Sequence, residues 1–257
     1  MKLGLNIDHI ATLREARKIN DPDPLEAIFV AKNAGASQIT IHLREDRRHI
    51  NDDDVRKIVQ SSFLPVNIEC ACDEKIVEFL CNQKPYKITL VPEKREEITT
   101  EGGLDIKKSG LKDIIKEFQK NDIEVAVFID PNKETTLISK DLGVDGVEFH
   151  TGKYANLHLM LYSNLHRTKN CIEEYNFDRK TLKFKLQESV EELHLCTNLA
   201  KELSLGVFAG HGLNYNNVEE IVKIKAISEL NIGQSIIARS VFVGLKTAIS
   251  DMVELIK

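Results

Sequence analysis

Short apolar, β-branched runs alternate with amphipathic helical patterns from one end of this chain to the other, and the alternation repeats eight times. The runs are residues 4–8 (GLNID), 38–42 (QITIH), 65–69 (PVNIE), 87–91 (KITLV), 124–130 (EVAVFID), 146–150 (GVEFH), 206–209 (GVFA) and 229–232 (ELNI). Between them lie stretches such as PLEAIFVAKNAGA and LKDIIKEFQKND, whose apolar residues recur at helical spacing. Consecutive parallel strands joined by helical crossovers need a sheet covered on its outer face. Eight of them favour closure into a (β/α)8 TIM barrel with extra helices, and 257 residues suit one such domain spanning 1–257. A doubly wound sheet is the alternative, but no glycine-rich dinucleotide fingerprint follows the first strand.

One segment breaks the rhythm. About fifty residues separate Tyr154 from Gly206, and the part from 156 to 185 is polar, irregular and dotted with aromatics. It reads as an insertion ahead of a helix over roughly 186–204.

In a parallel barrel the active site lies at the carboxyl ends of the strands, where the loops open to solvent. Polar residues fall at those ends in strand after strand. Asn6, Asp8 and His9 close the first, His42 and Arg44 the second, and Glu69 the third. Asp130 ends the fifth, Glu148 and His150 the sixth, and His211 follows the seventh between two glycines. A single histidine at a strand end is ordinarily structural; four of them with inward carboxylates point to a charged pocket. Glycine leading into a helix start, as at Gly233-Gln234-Ser235, presents N–H groups to a phosphate, and Gly210-His211-Gly212 supplies the neighbouring loop. Arg17, Arg44 and His49 are candidate anion holders, arginine because its planar fork donates two parallel hydrogen bonds. The glycine-bearing, charged run VPEKREEITTEGGL suits a lid, with Thr99 offering a hydroxyl.

The remaining composition narrows the function classes. A formal charge of -5 argues against general nucleic-acid binding. No apolar run approaches the ~20 residues that span a bilayer. The opening residues lack a leader pattern, so the expectation is a cytoplasmic enzyme. Five irregularly spaced cysteines imply no disulfide framework.

The runs NIDHIATLREAR, ITIHLREDRRHI, LVPEKREEITTEGGLD, EFHTGKYA, AGHGLNY and ELNIGQSIIARSVFVGL resemble, in order and across nearly the whole chain, the motifs of the pyridoxine 5'-phosphate synthase family. The resemblance implies a barrel assembled as a homo-octamer, with no cofactor or metal. It implies the joining of 1-deoxy-D-xylulose 5-phosphate to 3-amino-2-oxopropyl phosphate, giving pyridoxine 5'-phosphate, phosphate and water. It further implies His42 and Glu69 as proton acceptors, His211 as proton donor and Glu148 as a transition-state stabiliser. Asn6, Arg17, Gly212, Gly233 and Gln234 would hold the amino-ketone phosphate. Asp8, His9, Arg44, His49 and Thr99 would hold the deoxyxylulose phosphate. Two departures stand out: Gln234 occupies a position where the family usually has histidine, and the stretch after Tyr154 is long.

Three other readings are open on the residues alone. A Schiff-base aldolase would need a strand-end lysine, for which Lys153 is the candidate, although it follows Thr151-Gly152 in what reads as an exposed loop. A metal-dependent hydrolase would use Asp8, His9, His42 and His211. A phosphosugar-binding barrel without catalysis is the third.

Overall fold

The computed structural model describes residues 1–93 and 102–257. Eight parallel strands close on themselves in sequence order, β1 through β8, with β8 hydrogen-bonded to β1. They are β1 (Lys2–Asn6), β2 (Gln38–Leu43), β3 (Val66–Cys70), β4 (Lys87–Leu90), β5 (Glu124–Ile129), β6 (Gly146–His150), β7 (Gly206–Gly210) and β8 (Glu229–Ile232). The helices are α1 (Asp8–Arg17), α2 (Pro24–Ala34), α3 (Asp52–Ser61), α4 (Glu74–Gln83), α5 (Leu111–Lys120), α6 (Lys133–Leu142), α7 (Gly152–Tyr162), α8 (Arg179–Glu202), α9 (Val218–Val222), α10 (Gln234–Val243) and α11 (Leu245–Leu255). The architecture is a TIM barrel, as the strand–helix alternation predicts.

Local chemistry marks the helix boundaries. The side chains of Asp23, Asn51, Asp73, Asn132 and Asp178 each accept backbone N–H groups at the starts of α2, α3, α4, α6 and α8, satisfying donors the helix cannot. Gly35 and Gly143 end α2 and α6 in the left-handed conformation, at φ 100° and 82°.

Side-chain alternation divides each strand between two environments. Leu3, Leu5, Ile39, Ile41, Ile68, Ile88, Val125, Val147 and Leu230 face the helices and form the apolar core. The opposite parity carries Gln38, Thr40, Asn67, Lys87, Thr89, Glu148, Glu229 and Asn231, all buried. The barrel interior is therefore largely polar, whereas branched aliphatic residues fill it in most barrels.

The stretch after β6 is more ordered than its composition suggests. Helix α7 starts directly beyond the strand and buries Tyr154, Leu157, Met160 and Leu161. Only residues 163–178 lie outside long helices, with short 3-10 turns at Leu165–Arg167 and Glu173–Tyr175. Helix α8 begins at Arg179, ahead of the expected start, because Asp178 caps it through Lys180 and Thr181. Polar and aromatic residues on α7's outer face obscured the spacing of its buried face. Arg17 is the last residue of a regular helix, α1.

Candidate active site

Strand register brings the acid–base groups together. Parallel pairing of β2 with β3 places His42 beside Glu69, and pairing of β1 with β2 places Asn6 beside Thr40. A cavity of about 680 Å³ opens at the carboxyl ends of the strands, a size that accommodates small ligands. His42, Glu69, Glu148 and His211 line it, together with Asn6, Asp8, His9, Arg44, His49, Gly212, Gly233 and Gln234. Arg17 does not; it is exposed at the end of α1. Thr99 lies outside the described residues.

The β1 end is pre-organised. Asn6 donates from Nδ2 to Asp8 Oδ2 at 2.8 Å and accepts the Asp8 N–H at 3.0 Å. The other Asp8 oxygen accepts the His42 backbone N–H at 2.8 Å, tying β1 to β2. His42 is buried between two carboxylates: Nδ1 is 3.9 Å from Glu69 Oε2, and Nε2 is 3.9 Å from Glu93 Oε2. Those distances are too long for hydrogen bonds but short enough for strong electrostatic influence. Arg44 Nε lies 3.1 Å from Glu93 Oε1, so the same carboxylate orients a guanidinium at the cavity edge. On the far side of β1, Gly233 leads into α10, and the Ser235 hydroxyl donates to the Leu213 carbonyl at 2.8 Å, joining the β7 and β8 loops. Cations thus come from the β2 loop and helix-start N–H groups from the β8 loop, two suitable holders for phosphate.

Beneath the cavity runs a polar column. Glu148 accepts from Asn231 Nδ2 at 2.7 Å. Asn231 Oδ1 accepts from the Thr40 hydroxyl at 3.1 Å and from Gln38 at 3.3 Å. Gln38 also donates to Glu229 at 2.9 Å, and Glu229 pairs with Lys87 across the barrel at 3.0 Å. A Cβ at Gly4 would overlap Asn231 Oδ1, and one at Gly210 would overlap Glu148 Oε1, so both strands give up side chains to admit this column.

Burial inverts the usual order of proton affinities. Desolvation, reinforced by the charges of His49 and Arg44, lowers His42 to about 3. Burial and then His150 lower His211 to about 4. Asp8 is pushed up to about 7 by burial, against its hydrogen bonds from His42 and Asn6. Glu148 reaches about 7 for the same reason, with the Lys87 charge pulling it back. Glu69 stands well above the carboxylate range through burial and the neighbouring charges of Glu148 and Asp8. Near neutral pH the site therefore sets imidazoles that do not carry the extra proton beside carboxyl groups that share theirs with solvent or, at Glu69, hold it, an arrangement able to move protons both ways.

The geometry bears on the rival chemistries. Lys153 is in the first turn of α7, half exposed and paired with Glu192 at 2.9 Å, outside the cavity. Asp8, His42 and Glu69 offer metal-type donor atoms within 4.8 Å of one another, yet both Asp8 oxygens already accept N–H groups.

Several contributing residues were not singled out from the sequence. Glu93 follows β4, where the charged run read only as a lid. Asn231, Lys87 and Glu229 sit on inward parities within β8 and β4. The alternation in KITLV and ELNI was the available signal, but only closure of the barrel shows where those side chains meet.

Known proteins resemble this chain along its whole length. The chain is 60% identical to a pyridoxine 5'-phosphate synthase of Wolinella succinogenes, covering 100% of this chain and 98% of that protein. It is 58% identical to one of Helicobacter hepaticus, covering 99% and 97%. Among solved structures, 3-hexulose-6-phosphate synthase aligns with a TM-score of 0.60 at 13% identity, covering 100% of both chains. A 4-hydroxy-2-oxoglutarate aldolase aligns with a TM-score of 0.61 at 10% identity, covering 99% of this chain and 94% of that one. At such identities these two establish the barrel alone. The family model for pyridoxal phosphate biosynthesis protein PdxJ matches residues 3–257, and with relatives this similar from end to end, the chain belongs to the PdxJ family.

Proposed function

We propose that this cavity condenses 1-deoxy-D-xylulose 5-phosphate with 3-amino-2-oxopropyl phosphate, with His42 and Glu69 accepting protons, His211 donating one and Glu148 stabilising the transition state. The chain is an enzyme of vitamin B6 biosynthesis, of the pyridoxine 5'-phosphate synthase type. The observation that carries the residue roles is the convergence of these four groups on one cavity that also holds Arg44, His49 and the start of α10.

Imine formation, loss of water and phosphate, and ring closure all move protons on and off carbon, nitrogen and oxygen. His42, unprotonated at neutral pH, is ready as an acceptor. His211 becomes a donor once anionic phosphates enter, because nearby negative charge raises an imidazole's affinity for protons. The amine of the second substrate brings positive charge, which favours ionisation of Glu69 and Glu148. Asn6, Gly212, Gly233 and Gln234 hold the amino-ketone phosphate, and Asp8, His9, Arg44 and His49 the deoxyxylulose phosphate. Gln234 hydrogen-bonds without adding charge, while the Gly233 N–H and helix start remain. Arg17 and Thr99 belong to the proposed substrate set on the family resemblance alone.

Association of copies, up to the family's octamer, completes the reading. It is supported by exposed apolar side chains on α1 and α10, which pack together: Leu13 is 51% exposed, Val241 70% and Phe242 88%. Light scattering after gel filtration tests this. Location in the cytoplasm fits the pathway, and among the described residues no helix is long and apolar enough to cross a membrane.

The deciding experiment mixes the protein with both substrates and follows pyridoxine 5'-phosphate absorbance. Glu69→Gln is expected to lower turnover by about 10²–10⁴-fold with substrate binding retained; an equally active variant removes Glu69 from the mechanism. The close approach of Asp8, His42 and Glu69 supports a metal-assisted reading instead, and loss of turnover on chelation would favour it.

A further inference from the structure

His211 is held from behind by residues of which only Phe128 lines the cavity. His150 is buried, and its Nδ1 lies 2.9 Å from Asp130 Oδ1. The other Asp130 oxygen accepts the Gly103 N–H at 3.0 Å. The His150 ring meets the His211 ring edge to face, centroids 4.8 Å apart at 70°, and Phe128 braces the two rings at 5.1 and 6.4 Å. Next along the chain, the Thr151 hydroxyl is shared between the carbonyls of Gly210 and His211 at 2.7 and 2.6 Å. That clamp secures an unusual backbone, since His211 has φ 75°, a left-handed conformation costing a residue with a Cβ on the order of 1–3 kcal/mol. Gly152 completes the cradle: a Cβ there would overlap His150 Nε2 and come within 3.2 Å of His211 Cδ2.

The hydrogen bond to Asp130 has a chemical consequence. A carboxylate accepts only, so a neutral His150 must carry its proton on Nδ1. Its Nε2 is then a bare acceptor, buried beside Gly152 with no hydrogen-bond partner among the described residues. The reversed tautomer would set the Nδ1 lone pair against the Asp130 carboxylate, which has no proton to donate.

We propose that Asp130 and His150 are positioning residues for the reaction: Asp130 fixes the His150 tautomer, and His150, with the Thr151 clamp, sets the pose from which the His211 imidazole delivers its proton. This rests on the reading of His211 as proton donor. A carboxylate that merely stapled the Gly103 turn to β5 would affect stability and leave both kcat and the ring tautomer unchanged.

The test uses the full-length enzyme with kinetics for both substrates and ¹⁵N-histidine NMR. Asp130→Asn can donate as well as accept. It is expected to lose the Nδ1-protonated signature of His150 and to lower kcat about 10–100-fold, while KM for each substrate stays within about threefold. His150→Asn keeps an N–H facing Asp130 and deletes the Nε2 edge, so it is expected to show the same loss of kcat and covers the case in which Asp130→Asn does not fold. A kcat within about twofold of the parent in either variant, or a wild-type His150 protonated on Nε2, would overturn the inference. Persistent turnover in His211→Asn would overturn the donor assignment beneath it; an inactive His211→Asn beside a fully active Asp130→Asn would sink the positioning role alone.

Discussion

Replacing Lys87 by methionine probes the floor of the barrel directly. The Lys87 ammonium is 3% exposed, 3.0 Å from Glu229 Oε1 and 3.8 Å from the centre of the Phe208 ring. At that separation the Coulomb attraction is roughly 5 kcal/mol with an effective dielectric of about 20, offsetting much of the cost of burying the two charges. Methionine preserves most of the stem's volume but leaves Glu229 with the Gln38 amide as its remaining polar contact among the described residues. Removing one partner of a buried pair costs about 3–5 kcal/mol. For a chain of this length that corresponds to a fall in melting midpoint of roughly 6–20 °C. The variant should also move the pH dependence of kcat, because the Lys87 charge lowers the proton affinity of both Glu69 and Glu148. Without it both carboxyls hold protons to higher pH, so a limb that needs a carboxylate shifts in the alkaline direction. Thermal unfolding and kcat–pH profiles read the two effects. Lys87→Met/Glu229→Gln, neutral on both sides, should recover most of the lost stability. A single variant melting within about 2 °C of the parent, or a double variant no more stable than the single, would refute the reasoning.

Two further outcomes follow from the same column. Glu148 has a folded affinity raised from 4.5 to about 7, chiefly by burial, so its contribution to stability is fully present below 4.5 and is lost as pH rises through about 7. Glu148→Gln has no proton to lose; its stability relative to the parent should grow across that window and level off above it, by roughly 3 kcal/mol at most. Denaturant titrations at pH 5 and pH 8 showing the same difference would contradict this. Gly210→Ala should displace the Glu148 carboxylate, since the added methyl overlaps Oε1 and sits 2.9 Å from the Asn231 carbonyl. A misplacement of about 1 Å warrants a fall in kcat of about 100-fold, with phosphate binding retained; steady-state kinetics with unchanged kcat would show that Glu148 has room to spare.

Much of the site was legible because barrel topology converts strand position into location. A polar residue at the carboxyl end of any of the eight strands reaches the same mouth, so Asn6, His42, Glu69, Glu148 and His211 could be assembled without knowing a single distance. Arg17 shows the limit. It is near β1 in sequence, but a full helix carries it away from the cavity, and helix length is decided by packing. The region after β6 shows another: α7's buried face was hidden by the polar residues of its outer face.

The order of strands and helices, the (β/α)8 class and the presence of acid–base groups at the mouth were determined by the sequence alone, because hydrophobic period and strand-end chemistry are local properties of the chain. What fills the barrel, how burial reorders the proton affinities of His42, Glu69 and Glu148, and how Asp130 reaches His150 were decided only by the tertiary structure. Each depends on groups from strands far apart in sequence, such as Lys87 and Glu229, meeting in a dehydrated interior that exists only once the sheet has closed.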